Sequence, residues 1–250
     1  MLISFQSIDH LVNPEGQDLI SLDPNAVHLW GMELNGSPSC LDRCFGWLNE
    51  EERHRAARLV REQDRRHYVL AHGGLRAVLR RYLGVNPGLV ALGRTETGKP
   101  FVMRDTRMHS AITFNLSHAH GRALIAVSNT QEVGVDLELV RADVDAAKLS
   151  ERYFTPSEHR EIMQSVDEER AIRFFRYWVA KEAVLKALGS GLRGLSSCEI
   201  VLGASEIDTK AQIKGGSHSP HEVRLRLLSC GKGWEAAVAA KDLDVVGPGW

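Results

Sequence analysis

Apolar positions recur along this chain with two periods, and the switches between them mark its elements. Val27 to Leu34 suits a strand. From Asn49 to Leu83 the spacing is helical: Asn49 can cap the start, and Glu52 three residues on completes a capping box. Gly84 ends that helix and Pro87 prevents its resumption. Gly98-Lys99-Pro100 reads as a turn, a strand follows around Ala111 to Phe114, and Asn115-Leu116-Ser117-His118 leaves that strand for a turn. Alternation returns at Arg122–Ser128 and Val133–Val140, and the short link Asn129-Thr130-Gln131 suits a hairpin between them. Thr155-Pro156-Ser157-Glu158 is a second capping box, with proline at the first helical position. A strongly helical segment, Glu169 to Leu188, ends at Gly189-Ser190-Gly191. The remainder reads as strands: Cys198–Leu202, Glu222–Leu228 and Trp234–Ala240.

Two halves echo each other within this pattern. GLRAVLRRYLG from Gly74 overlays VAKEAVLKALG from Val179, an offset of 105 residues. GRALIAVS from Gly121 overlays GWEAAVAA from Gly233, an offset of 112, and the two capping boxes lie 106 apart. The common order predicts a duplicated α+β unit, with an N-terminal half at 1–130 and a C-terminal half at 131–250. In the overlay Arg76 faces Lys181 and Arg81 faces Lys186, but Ala77 faces Glu182. The halves diverge where chemistry would sit.

Composition narrows the classes. The 250 residues are 43% hydrophobic and 25% charged with a net charge of −1, which is ordinary for a globular protein and offers no global field for nucleic acid or a membrane surface. No run approaches a membrane span and the N-terminus lacks a basic start before an apolar core, so neither a span nor a signal peptide is expected. Cys40, Cys44, Cys198 and Cys230 have no paired C-x-x-C spacing, which suits free thiols in a reducing cytosol.

The candidate chemistry starts at GVDLELV, Gly134 to Val140. In a strand Asp136 and Glu138 stand on one face, two negative charges that need a positive partner. In WVAKEAVLK, Trp178, Glu182 and Lys186 share a helix face with Lys181 beside them. Each has a plain explanation: a solvent-facing strand, and a surface Glu182–Lys186 pair contributing about 0.3 kcal/mol. Together, three carboxylates on a strand and a helix can surround a hard divalent cation such as Mg²⁺. Such a cation usually bridges phosphates, and nine arginines against two acids between Arg53 and Arg81 supply candidate phosphate ligands, although most read as a solvated helix face. Arg55 and Arg58, three apart, can serve one phosphate; Lys99, Ser117 and His118 are turn candidates, and His120 reads as exposed.

These ordered motifs resemble the Sfp-type 4′-phosphopantetheinyl transferases: GKP at Gly98, NLSHAHGRALIAVS at Asn115, GVDLE at Gly134, YFTPSE at Tyr153 and WVAKEAVLK at Trp178, with LNEEERHRAARL from Leu48. The likeness covers roughly residues 45 to 240. It implies two similar α+β halves in a pseudo-twofold arrangement with the active site between them. It implies transfer of the phosphopantetheine arm of coenzyme A to a serine of an apo acyl or peptidyl carrier protein, releasing adenosine 3′,5′-bisphosphate. By the same resemblance Asp136, Glu138 and Glu182 hold Mg²⁺, Glu182 accepts the serine proton, and Lys186 stabilises phosphate charge. Arg55, Lys99, Ser117 and His118 match nucleotide-binding positions, Lys181 a lysine near the phosphates, and Arg58 and Arg65 basic positions. His67 stands where an arginine is common. A cytoplasmic monomer is expected, since a duplicated chain can build one site internally. Two other classes use similar residues: a metal-dependent phosphohydrolase or nuclease, and a non-catalytic nucleotide- or RNA-binding module. Near-neutral charge and the lack of aromatic interleaving count against RNA.

Overall fold

The first half begins with β1 (Phe5–Ser7), α1 (Ile8–Val12), β2 (Ala26–Glu33) and α2 (Pro38–Trp47). It continues through α3 (Glu50–Ala57), α4 (Glu62–Leu83), β3 (Leu92–Arg94), β4 (Pro100–Val102), β5 (Thr113–Ala119) and β6 (Arg122–Ser128). The second half has β7 (Val133–Leu139), α5 (Ala146–Tyr153), α6 (Pro156–Met163), α7 (Asp167–Leu188), β8 (Cys198–Val201), β9 (Lys210–Ile213), β10 (Arg224–Leu228), β11 (Trp234–Ala240) and β12 (Asp244–Val246). This computed structural model describes residues 2–13, 19–23, 26–103, 112–129, 131–191, 194–203, 209–213, 223–241 and 243–246. Ala111, Thr130 and Glu222, where parts of the expected strands and their link fall, lie outside the described residues.

Both capping boxes form. Asn49 Oδ1 accepts from the Glu52 N–H while the Glu52 carboxylate accepts from the Asn49 N–H, and Thr155 and Glu158 do the same. The single helix expected from Asn49 to Leu83 is instead two, broken at Arg58–Arg61. The break lets Glu52 reach Arg76 at 2.8 Å. In one straight helix residues 24 apart lie about 36 Å from each other. Helix α2, absent from the sequence reading, starts at Ser37, whose side chain accepts from the Cys40 N–H ahead of Pro38.

The strand pairing corrects two further expectations. Asn115 to His118 does not leave the strand: β5 runs on to Ala119, and a two-residue turn, His120 (φ 44°) and Gly121 (φ 82°), leads into β6. Left-handed backbone at both positions matches the twist of a tight hairpin. Nor does β6 form a hairpin with β7. β6 already has β2 on one edge and β5 on the other, so β7 joins a different sheet beside β11.

The two halves repeat one α+β unit. The order β2-β6-β5 in the first five-stranded sheet is the order β7-β11-β10 in the second. Helices α4 and α7 are each 22 residues long and end on left-handed glycines, Gly84 (φ 68°) and Gly189 (φ 66°). Each helix covers the outer face of its own sheet. The inner faces pack together through Val27, Leu29, Leu124 and Ala126 against Val135, Leu137, Ala236 and Val238. The chain ends cross between halves, for β12 pairs with β2 beside β1. α7 lies unusually close to β7: a Cβ on Gly134 would sit 2.0 Å from the Ala183 carbonyl oxygen, so no larger residue fits.

Candidate active site

The alternation of β7 puts Val135 and Leu137 between the sheets and turns Asp136 and Glu138 beneath α7. Across the ladder Ala237 and Ala239 face Asp136 and Gly134, leaving room for the helix. One α7 turn carries Glu182 and Lys186. Lys186 Nζ lies 2.6 Å from Asp136 Oδ1 and 3.9 Å from Glu182 Oε2. This lysine is the positive partner of the acid pair. Asp136 Oδ1 also accepts from Ser117 Oγ at 2.8 Å, whereas Asp136 Oδ2 is buried with no hydrogen-bond partner among the described residues.

The remaining carboxylates are electrostatically uneasy. Burial pushes Glu138 up to about 7, helped by Asp136 and opposed by Arg141 and Lys186. Burial likewise holds Glu182 at about 7, with Lys186 pulling down and Asp136 pushing up. Three hard oxygen donors with too little positive charge are a donor set suited to Mg²⁺, and the orphaned Asp136 Oδ2 leaves a carboxylate oxygen free to take such an ion. Among the described residues no three His, Cys, Asp or Glu side chains are gathered closely enough to hold an ion, so an ion held by all three carboxylates would require them to draw together.

Beside them opens a cleft of about 810 Å³, within the range of cofactor sites, roughly 300–1,000 Å³. Its walls come from α3, α4, the β3–β4 hairpin and β5, and Glu138 and Arg141 close it on the C-terminal side. Arg55, Arg61 and Arg141 supply positive charge, while Arg94 on the same wall is paired with Glu51 at 2.7 Å. His118 opens onto the cleft yet is hemmed in by protein; lost hydration first, then His72, Lys186 and His67, hold its imidazole at about 4, so it is neutral near pH 7. His67 lines the same wall and is shifted down, chiefly by burial. Burial alone would raise Glu52, but His72, the Asn49 N–H and Arg76 outweigh it and hold it at about 2.

The expected site residues divide into three groups. Asp136, Glu138, Glu182 and Lys186 converge, with Ser117 against Asp136 rather than in the cleft. Arg55 and His118 line the cleft. Lys99 and Lys181 are elsewhere. Lys99 pairs with Glu132 and donates to the Val133 and Ala187 carbonyls, clamping the end of α7. Lys181 is fully buried on the far side of α7, 2.7 Å from Glu158 and donating to the Leu195 carbonyl at 2.8 Å. Arg58 and Arg65 are exposed and not among the lining residues. Arg61, one of the nine arginines between Arg53 and Arg81, lines the cleft, as do Arg94 and Arg141, which the sequence pattern does not mark; Arg141 lies just past the acidic strand, and Arg94 shares a hairpin with Lys99.

Lys181 repeats Arg76 of the first half, whose partner Glu52 is the N3 residue of its capping box as Glu158 is here. Replacing Lys181 with methionine should therefore cost about 3 kcal/mol of stability, the low end for breaking a buried ion pair, because the Thr155 and Ile200 N–H groups still bond Glu158. Thermal denaturation reads that loss. Unchanged binding of the coenzyme A that the resemblance implies, measured on the folded variant, separates it from a phosphate ligand.

The repeat also shows why one half carries the acids. Trp30 pairs with Ile125 as Asp136 pairs with Ala237, which makes Trp30 the counterpart of Asp136. Arg81, counterpart of Lys186, lies 5.0 Å over the Trp30 ring. Ala77 replaces Glu182. An indole and a stacked guanidinium fill the space where the second half keeps three carboxylates.

Two family models divide the chain. The 4′-phosphopantetheinyl transferase superfamily matches residues 132–239, and the 4′-phosphopantetheinyl transferase N-terminal family matches residues 35–131. The 4′-phosphopantetheinyl transferase HetI of Nostoc is 38% identical over 199 residues, 80% of this chain and 83% of that protein. A phosphopantetheinyl transferase of Thraustochytrium is 32% identical, spanning 68% of this chain and 63% of its own length. The Sfp transferase of Bacillus subtilis is 24% identical, spanning 60% and 64%. A crystal structure of Thermotoga maritima holo-[acyl-carrier-protein] synthase overlaps with a TM-score of 0.36 and 22% identity over 44% of this chain and 61% of that one, too slight a likeness to carry an argument. The chain belongs to the 4′-phosphopantetheinyl transferase superfamily.

Proposed function

We propose that the cleft holds the nucleotide end of coenzyme A and that the β7–α7 acids carry the transfer of its 4′-phosphopantetheine group to a serine of an apo acyl or peptidyl carrier protein. The observation that carries this is the convergence of Asp136, Glu138 and Glu182 with Lys186 at the border of an arginine-lined cleft. Arg55 and His118 stand where they can hold phosphate oxygens, with Arg61 and Arg141 adding charge. Asp136, Glu138 and Glu182 would hold Mg²⁺, which when bound neutralises charge on the pyrophosphate. Glu182 takes the proton of the attacking serine. The serine oxygen bonds to the phosphorus bearing pantetheine as the bond to the bridging oxygen breaks, and adenosine 3′,5′-bisphosphate leaves. Lys186 moves from Asp136 to the phosphates within the reach of its side chain.

No helix among the described residues is long and apolar enough to cross a membrane. The four cysteines are free and buried, which fits the expected reducing cytoplasm, and one chain supplies every group invoked, which fits a monomer. Mass spectrometry of an apo carrier protein incubated with the enzyme, coenzyme A and Mg²⁺ tests the reading. A gain of one phosphopantetheine group, abolished by chelator, is expected. Cleavage of coenzyme A without any carrier adduct overturns it in favour of a phosphohydrolase.

A further inference from the structure

We infer that Asn115 and Ser117 are positioning residues, which lock β7 of one half to β5 of the other and fix the aim of Asp136. β5 is the edge of the first sheet and β7 the edge of the second, and no backbone ladder joins them. Side chains do so instead. Alternate residues on one face of β5 reach across in turn: Thr113 Oγ1 donates to the Gln131 carbonyl at 2.5 Å, Asn115 Oδ1 accepts from the Val135 N–H at 2.9 Å, and Ser117 Oγ donates to Asp136 Oδ1 at 2.8 Å. Asn115 and Ser117 are 5% and 8% exposed, too enclosed to meet a nucleotide in the cleft. The other face of the strand, through Leu116 and His118, lines that cleft. The Asn115-Leu116-Ser117-His118 segment thus divides its work by strand alternation: one face binds and the other aligns.

The consequence falls on one atom. Oδ1 is held by Ser117 at 2.8 Å and by Lys186 at 2.6 Å; once Lys186 turns to phosphate, the Ser117 bond alone restrains the Asp136 carboxylate, and Oδ2 is left as its unpartnered oxygen. Ligating carboxylates are commonly oriented by such outer hydrogen bonds, whose loss costs about 10–100-fold in metal affinity or activity. This rests on the proposed metal site, so the test reads metal and coenzyme A separately. In the full-length enzyme with coenzyme A and no carrier protein, Mn²⁺ binding is followed by electron paramagnetic resonance; coenzyme A binding is measured by calorimetry in chelator. Ser117→Ala is expected to weaken Mn²⁺ about 10-fold and to leave chelated coenzyme A binding unchanged. Ser117→Thr, which keeps the hydroxyl, restores Mn²⁺ affinity. Should the alanine variant fail to fold, Ser117→Cys keeps the volume, weakens the donor and is expected to shift Mn²⁺ affinity the same way. Loss of coenzyme A affinity at constant Mn²⁺ affinity makes Ser117 a nucleotide contact and overturns the inference; unchanged affinity for both overturns it too. Failure of the wild-type enzyme to load a carrier overturns the reading of the site instead, a result obtained without any Ser117 variant.

Discussion

Asp136→Ala is expected to lower phosphopantetheine transfer by roughly 10²–10⁴-fold while the protein stays folded. The activity loss follows from removing the proposed metal ligand on which the other groups converge. A metal supplies several kcal/mol of charge stabilisation, and each 1.36 kcal/mol is about tenfold in rate. Stability should change little, for two effects oppose each other. The variant loses the Lys186 and Ser117 bonds to Oδ1, but it also loses a buried carboxylate whose Oδ2 has no partner. Lys186 is 27% exposed and can turn to water or to Glu182, so no charge is trapped. The expected shift is within about 1–2 kcal/mol, small enough to measure turnover on folded enzyme. Near wild-type turnover at ordinary Mg²⁺ would remove Asp136 from the proposed site.

How much of this was legible depended on whether the signal was local. Period and capping mark the starts of α3 and α6, the ends of α4 and α7, the acid strand and the repeat, because Asn49/Glu52, Thr155/Glu158, Gly84 and Gly189 act within a turn of where they stand. Helix α2 was equally local at Ser37-Pro38 and was overlooked. The break at Arg58–Arg61 was not local: it is selected by Glu52 meeting Arg76 across α4. The β6–β7 hairpin failed for a related reason, since a short link says nothing about whether β6 has a free edge. At the site, the shared face of Asp136 and Glu138 follows from strand geometry alone. The roles of the lysines do not. Lys181 and Lys186 are five residues apart on one helix, yet one is buried with Glu158 and the other joins Asp136. Ser117 and His118 are adjacent, and alternation sends them to different tasks. The arginine-rich stretch separated in the same way: Arg76 binds Glu52, Arg81 covers Trp30, and Arg55 and Arg61 line the cleft.

Glu182→Gln separates a base and ligand from an ordinary helix ion pair, and it does so in two measurements. A surface Glu182–Lys186 pair predicts a change of about 0.3–0.5 kcal/mol and unaltered activity. The geometry speaks against that pairing: the two groups are 3.9 Å apart, while Lys186 sits 2.6 Å from Asp136. Loss of a general base alone lowers rate by roughly 10²–10⁴-fold, so kcat should fall at least that far. Coenzyme A affinity should change little, with Arg55 and His118 still in the cleft. The second measurement is stability against pH in chelator. Glu182 is held at about 7 in the folded protein against an ordinary value of 4.5. Between those limits the native state keeps a proton that the unfolded chain has released, so this group's contribution to stability falls as pH rises from about 4.5 to about 7 and is level above. Glutamine removes that slope. The variant should therefore gain on the wild type across this window, by on the order of 2–3 kcal/mol at its alkaline end. Added Mg²⁺ competes with the same proton, so it should raise the wild-type melting temperature more at pH 8 than at pH 6, and Glu182→Gln should blunt the difference. Normal kcat in this variant would sink the mechanism even if the pH slope changed as expected. An unchanged slope would show that Glu182 is not held near neutrality by burial, and the proton would need another acceptor.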